Sequence, residues 1–314
     1  MDVSSVYRVE WRTKVPWTAK KQLSCLKTAQ KRELFKYNVG MANYVFLVST
    51  AREKFILRCS KERNAYHDTV FLLNQLSVCD IPIPDVLSEG SYEEYSYLIL
   101  SYVDGDDIGK VYCELNDSQK KQIAKEVVAI QRKVSRIEIR VEAEWTWKYH
   151  VGGMLDRAEE RIRKKRYFDI NKITTIRELL PDIQEYLNQI QPVPYLDDIS
   201  TKNLLICDGK LSGIIDIDWI GLGDVLTFAA LTRVALLNMD LDTKYCDYLL
   251  EELQPNATQY KAFVFYCLMY CVDFMGERGM QFLDKTIPVD ESIIRRLNQI
   301  FDILMEEWNK CCEG

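Results

Sequence analysis

A single β-prone island set inside a long helical stretch constrains this 314-residue chain more than any other feature. After Asp107, Ile123, Val127, Ile130, Val134 and Ile137 recur at alternating steps of four and three, which lays one apolar stripe along an amphipathic helix. Asn116 with Gln119 three residues on forms a capping box ahead of that stripe. Helices are also expected over 158–165, 176–190, 228–237, 259–275 and 292–308. Against this background stand two apolar runs, 204–207 and 211–217, joined by Asp208-Gly209, a dipeptide suited to a two-residue hairpin turn.

The first third reads the opposite way. Residues 34–39 and 44–48 are β-prone runs separated by Gly40-Met41-Ala42-Asn43, and Phe55-Ile56-Leu57 follows a polar turn at 50–54. A helix is expected over 64–76, ending before Ile81-Pro82-Ile83-Pro84, whose prolines impose an extended path. A further strand over 97–103 runs into the turn Asp104-Gly105. The expected division is a small sheet-rich lobe, 1–104, and a helical lobe, 105–314.

Composition narrows the function classes. With 47 % apolar and 28 % charged residues the chain can bury a core and is not disordered. A formal charge of -6 runs against a dedicated nucleic-acid binder. The segment 1–14 lacks the apolar core of a signal peptide, and the longest apolar run, 262–272, is too short to span a bilayer and reads as a buried helix. The ten cysteines form no CxxC pair and the only histidines are His67 and His150. That pattern suits free thiols in a reducing compartment rather than zinc ligands. The expectation is a cytoplasmic protein that engages no membrane or nucleic acid, a monomer or weak homodimer.

The residues that carry chemistry lie in YLDDISTKNLLICDGKLSGIIDIDWIGLGDVLTFAA, from Tyr195 to Ala230. Taken singly, an Asp or Asn here would serve a turn. Their order and spacing say more. Asp198 falls on a loop, Asn203 at the start of the first strand of the island, and Asp216 at the end of the second, so the hairpin sets the last two side by side. A carboxylate and an amide oxygen are hard ligands of the kind Mg²⁺ takes, with phosphate oxygens completing its shell. Asp198, nearby, would accept a hydrogen bond from an attacking hydroxyl.

This segment resembles the catalytic segment of the aminoglycoside phosphotransferase-like small-molecule kinases, whose pattern is H-x-D-x-x-x-x-N, then a strand ending in I-D-x, then G-D. The resemblance covers roughly residues 30 to 240 and implies an α+β, two-lobed protein-kinase-like fold, with a small antiparallel-sheet N-lobe and a mainly helical C-lobe. It implies Asp198 as the catalytic aspartate and Asn203 and Asp216 as Mg²⁺ ligands. Gly223-Asp224 matches the G-D that anchors the following loop, and Asp218 is a further acidic residue beside it. VGMANYVFLV resembles the nucleotide-covering hairpin, and FILRC the strand bearing the phosphate-binding basic residue, here Arg58. Its helix partner would be Asp68, with Glu62 as the alternative. LILSYVDGDDI resembles the connector that holds the adenine, through the carbonyl of Ser101 and the amide of Val103.

Two departures stand out. Leu196 replaces the family histidine and can pack into the core. Asp197 fills the usual glycine position, pointing either to solvent or to a cationic substrate amine. The covering loop holds only Gly40. The aromatic cluster Trp145, Trp147, Tyr149 and His150, read chiefly as core, and the polar residues Asp273, Glu277 and Arg278 are candidate sources of acceptor contacts. Together these imply transfer of the γ-phosphoryl of ATP or GTP to a hydroxyl of a small molecule, such as an aminoglycoside-type antibiotic. The alternative is a catalytically inactive kinase-fold protein that binds nucleotide or serves as a scaffold.

Overall fold

The computed structural model describes residues 33–36, 44–49, 53–139, 145–282 and 285–313. The expected covering-loop residues 39–43, most of the turn at 50–54 and the N-terminal segment 1–14 lie outside the described residues. The chain divides into two compact units. One holds the described residues up to Asp104 together with Ile215–Trp219; the other holds Gly105–Ile214 and the residues from Ile220 onward. The short segment Ile215–Trp219 thus groups with the N-terminal residues, although its sequence position falls inside the expected helical lobe.

The first unit is built on a five-stranded antiparallel sheet in the order β1-β2-β3-β5-β4. Its strands are β1 (Glu33–Lys36), β2 (Tyr44–Ser49), β3 (Lys54–Ser60), β4 (Val86–Tyr92) and β5 (Tyr95–Ser101), and helix α1 (His67–Ser77) lies between β3 and β4 in sequence. Strand side chains alternate between faces. On β3, Phe55, Leu57 and Cys59 share one face and join Val48, Tyr97 and Ile99 in a buried cluster. Arg58, one step out of phase, is carried on the other face, and it pairs with Val45 of β2 and Leu98 of β5 across the ladder.

The second unit is mainly helical. Its strands form a three-stranded sheet, β6 (Asp106–Asp107) with β8 (Leu204–Cys207) and β9 (Lys210–Ile214), and a two-stranded ladder of β7 (Pro194–Tyr195) and β10 (Gly221–Leu222). The Asp208-Gly209 turn has positive φ at both residues, 50° and 74°, as a type I′ hairpin requires. Strand β9 stops at Ile214. Asp216 therefore follows the strand by two residues rather than ending it, in a left-handed conformation at φ 61°.

The helices are α2 (Ile108–Val111), α3 (Asp117–Val134), α4 (Trp147–Lys165), α5 (Asn171–Gln189), α6 (Leu226–Asn238), α7 (Lys244–Leu253), α8 (Ala257–Glu277) and α9 (Glu291–Glu313). The expected Asn116/Gln119 capping box is formed, and an identical Asn256/Gln259 box opens α8. Every residue from Ala262 to Val272 is buried. Helices α4, α5, α6 and α9 pack around α8, which explains why its sequence lacks a polar face. Among the described residues, no helix is long and apolar enough to cross a membrane, and the described cysteines are free thiols.

Candidate active site

In the second unit the Asp198 loop is set by a buried clamp. The Gln131 side chain of α3 is only 2 % exposed. It accepts from the Leu196 amide at 2.9 Å and donates to the Leu196 carbonyl at 2.7 Å. Leu196, in place of the family histidine, is itself buried. One residue on, the Asp197 carboxylate accepts from the adjacent Asp198 amide at 3.0 Å, a local side-chain to backbone bond within the loop. The Asp198 side chain is exposed. Its backbone carbonyl accepts from Nδ2 of the buried Asn203 at 2.7 Å. That bond engages the donor end of the Asn203 amide, so Oδ1 is the end a cation would meet.

The loop after the hairpin is fastened just as firmly. Asp224 is 5 % exposed and accepts from the hydroxyls of Tyr186 at 2.7 Å and Tyr266 at 3.0 Å, and from the Leu226 amide at the start of α6. Burial pushes its carboxyl above the ordinary range, and these three donors pull the other way. Trp147 is buried against this loop, with its indole N–H donated to Tyr266 and its ring stacked on His150 at 4.9 Å. Tyr149 is exposed. The aromatic cluster read from the sequence therefore divides into a core residue and surface ones.

Acidic groups gather near this loop. The buried phenol of Tyr270 is raised first by burial, then by Tyr195 and by the carboxylates of Asp197, Asp273 and Asp198. Burial and the neighbouring Asp273 push Glu277 up to about 7, while Arg161, Arg278 and Lys202 oppose the rise. Arg161 holds Asp273 at 2.8 Å. Asp273 and Glu277 stand one turn apart near the end of α8. The sequence signal for them was their position, four residues apart, where an otherwise apolar helix turns polar.

In the first unit Arg58 is the centre. It is 6 % exposed. Its guanidinium donates from Nη1 to Asp218 Oδ1 at 2.8 Å and from Nη2 to Asp218 Oδ2 at 2.6 Å, the bidentate geometry a carboxylate favours. Nη2 also lies 3.4 Å from Asp216 Oδ1, and the Tyr66 ring lies 5.5 Å from the guanidinium carbon. Asp68, expected as the partner, is exposed in the first turn of α1 and makes no ion pair with Arg58. The pairing is corrected accordingly: α1 directs the hydroxyl of buried Thr69 inward instead. Glu62, the alternative, is also exposed. Ser101 ends β5, where its amide and hydroxyl engage the Asp85 backbone at 2.9 and 2.8 Å, and Val103 follows in the connector.

These residues suit a metal and a nucleotide in a particular way. Asp216 has 42 % of its side chain exposed. Burial of its other side raises its carboxyl; Arg58 lowers it and Asp218 raises it. Two carboxylates face one guanidinium, which leaves a negative charge for a cation to offset. Among the described residues no three or more His, Cys, Asp or Glu side chains gather as a metal cage. A Mg²⁺ ion at Asp216 or Asn203 would therefore draw most of its shell from phosphate and water, which is its habit.

Residues 36–249 match the model of the phosphotransferase enzyme family. The chain belongs to that family. Among solved structures, a thermostable mutant of aminoglycoside phosphotransferase APH(4)-Ia in its apo form matches with a TM-score of 0.62 at 14 % identity, over 93 % of this chain and 97 % of that one. The ADP-bound aminoglycoside phosphotransferase APH(2'')-Ib matches with 0.59 at 16 %, over 93 % and 98 %. The gentamicin complex of APH(2'')-IIa matches with 0.61 at 15 %, over 92 % and 96 %. No curated protein sequence matches this chain. This family member has the expected kinase-like fold, with an antiparallel sheet in its N-terminal part and mostly helix beyond.

Proposed function

We propose that this phosphotransferase moves the γ-phosphoryl group of ATP or GTP to a hydroxyl of a small molecule that also carries an amine. The observation that carries the reading is the exposed Asp198 carboxylate on a loop whose carbonyl is held by Asn203. Asp198 orients the acceptor hydroxyl and takes its proton as the oxygen attacks phosphorus. Arg58 holds the nucleotide phosphates, and the Ser101 carbonyl and Val103 amide hold the adenine edge. Asn203 Oδ1 and Asp216 are the ligands for Mg²⁺, which when bound offsets charge on the transferring phosphate. The preference for a cationic acceptor rests on Asp197 and Asp273, which act with Asp198 on the Tyr270 phenol, and on Glu277 one turn beyond Asp273. Complexes of neighbours with AMP-PNP and hygromycin B, and with gentamicin, support a nucleotide donor and an amine-bearing acceptor.

The test is thermal unfolding with ATP or GTP, each with and without Mg²⁺. A ligand at about a hundred times its dissociation constant stabilises by about 2.7 kcal/mol. A magnesium-dependent rise with one nucleotide is the expected result, followed by transfer to an amino-sugar acceptor. Asp198→Asn should keep that rise and lose transfer by about a hundredfold or more. No rise with either nucleotide would remove the kinase reading.

A further inference from the structure

The first unit divides work between the two carboxylates of Asp216-Ile217-Asp218. A phosphate-binding arginine must be held in one orientation to be useful, and a carboxylate that accepts from both ends of its fork does this. Asp218 makes that contact with Arg58 from 160 residues away in sequence, and Thr69 on α1 donates to the same Asp218 oxygen at 3.2 Å. Arg58 Nε is buried without a hydrogen-bond partner. A buried donor left so is costly. Asp216 lies farther from Arg58, at 3.4 Å, with 42 % of its side chain exposed.

We propose that Asp218, braced by Thr69, is the positioning residue for Arg58, and that this leaves Asp216 for the metal. The proposal rests on the kinase reading above. The arginine's orientation is then governed by the peptide that carries the metal ligand, and α1 contributes a hydroxyl where a helix carboxylate was expected. Holding the fork on Asp218 puts the short contacts of Arg58 there, at 2.6 and 2.8 Å, and leaves Asp216 with the longer one at 3.4 Å.

Calorimetric titration of the full chain with ATP and with GTP, each with Mg²⁺, tests this, on variants whose unligated melting is checked first. Asp218→Asn should weaken binding of the preferred nucleotide about tenfold, and Thr69→Val about threefold. In an Arg58→Met background, Asp218→Asn should add less than twofold, because a positioning residue has nothing left to position. The double variant Thr69→Glu with Asp218→Asn, which returns a carboxylate from the helix, should recover most of the loss. Should Asp218→Asn fail to fold, Thr69→Val carries the test, because it keeps the ion pair and removes one hydrogen bond. Unchanged or tighter binding by Asp218→Asn overturns the proposal, the latter marking the pair as a latch that nucleotide must open. A full tenfold further loss in the Arg58→Met background overturns it as well. If the unsubstituted chain binds neither nucleotide, the kinase reading falls first, and the inference with it.

Discussion

Gly223 shows how little freedom single residues have around the candidate site. It sits at φ 131°, and a Cβ placed there would lie 2.1 Å from the Trp147 ring. That ring is pinned by Tyr266 and His150, so it has nowhere to go. Gly223→Ala should cost about 3 kcal/mol or more by urea denaturation, and should loosen Asp224 beside it. Asp216 is the opposite case, a non-glycine residue in the left-handed region. Aspartate tolerates that region better than most residues, at a modest cost, and here the conformation coincides with the position proposed above for metal binding. The loop position of Asp198 and the strand position of Arg58 were legible in the sequence. The partner of Arg58 was not, since several nearby carboxylates have equal claim on a guanidinium until the chain is folded.

At the scale of elements, α3 reaches the Asp198 loop through Gln131. Gln131→Leu fills much of the same space but leaves the buried N–H and C=O of Leu196 unpaired. The expected cost is about 2–4 kcal/mol in chemical denaturation, with lower activity because the loop it holds carries Asp198, proposed above as the proton acceptor. Strong periodicity made α3, α8, α9 and the β8–β9 hairpin readable in advance. Helix α7 was missed, because its buried face is formed by Tyr245, Cys246 and Leu249 rather than by an aliphatic stripe. The first three turns of α4 were missed too, where aromatics, Gly152 and Gly153 obscure the helical pattern that Thr146 caps. The Asn256/Gln259 box carries the same signal as Asn116/Gln119 and was equally open to reading.

For the whole molecule, pH is the simplest probe of the acidic groups around α8. Glu277 is about 7 in the folded chain against an ordinary 4.5. A raised carboxyl binds a proton in the folded state that the unfolded chain has already lost, so its stabilising effect is full below about 4.5 and is lost as pH rises through about 7. The melting temperature should fall between pH 5 and pH 8. Glu277→Gln should flatten that fall by about 2 kcal/mol once solvent screening is allowed for, and a slope identical to that of the unsubstituted chain would exclude Glu277 as its source. An amine-bearing acceptor should reduce the same slope by favouring the ionised form.

By itself the amino-acid sequence determined the strongly periodic helices α3, α8 and α9, where the hairpin turns, and in what order the chemistry-bearing residues come. Those properties depend on local periodicity and on turn geometry, and both are short-range. Only the tertiary structure decided that Ile215–Trp219 groups with the N-terminal unit, that Asp218 and not Asp68 holds Arg58, and that Asp198 and Asp273 both act on the Tyr270 phenol. Each of these depends on which groups approach across more than seventy residues of chain. A hydrophobic pattern says which face is buried, but the choice among rival polar partners is made by the packing that buries it.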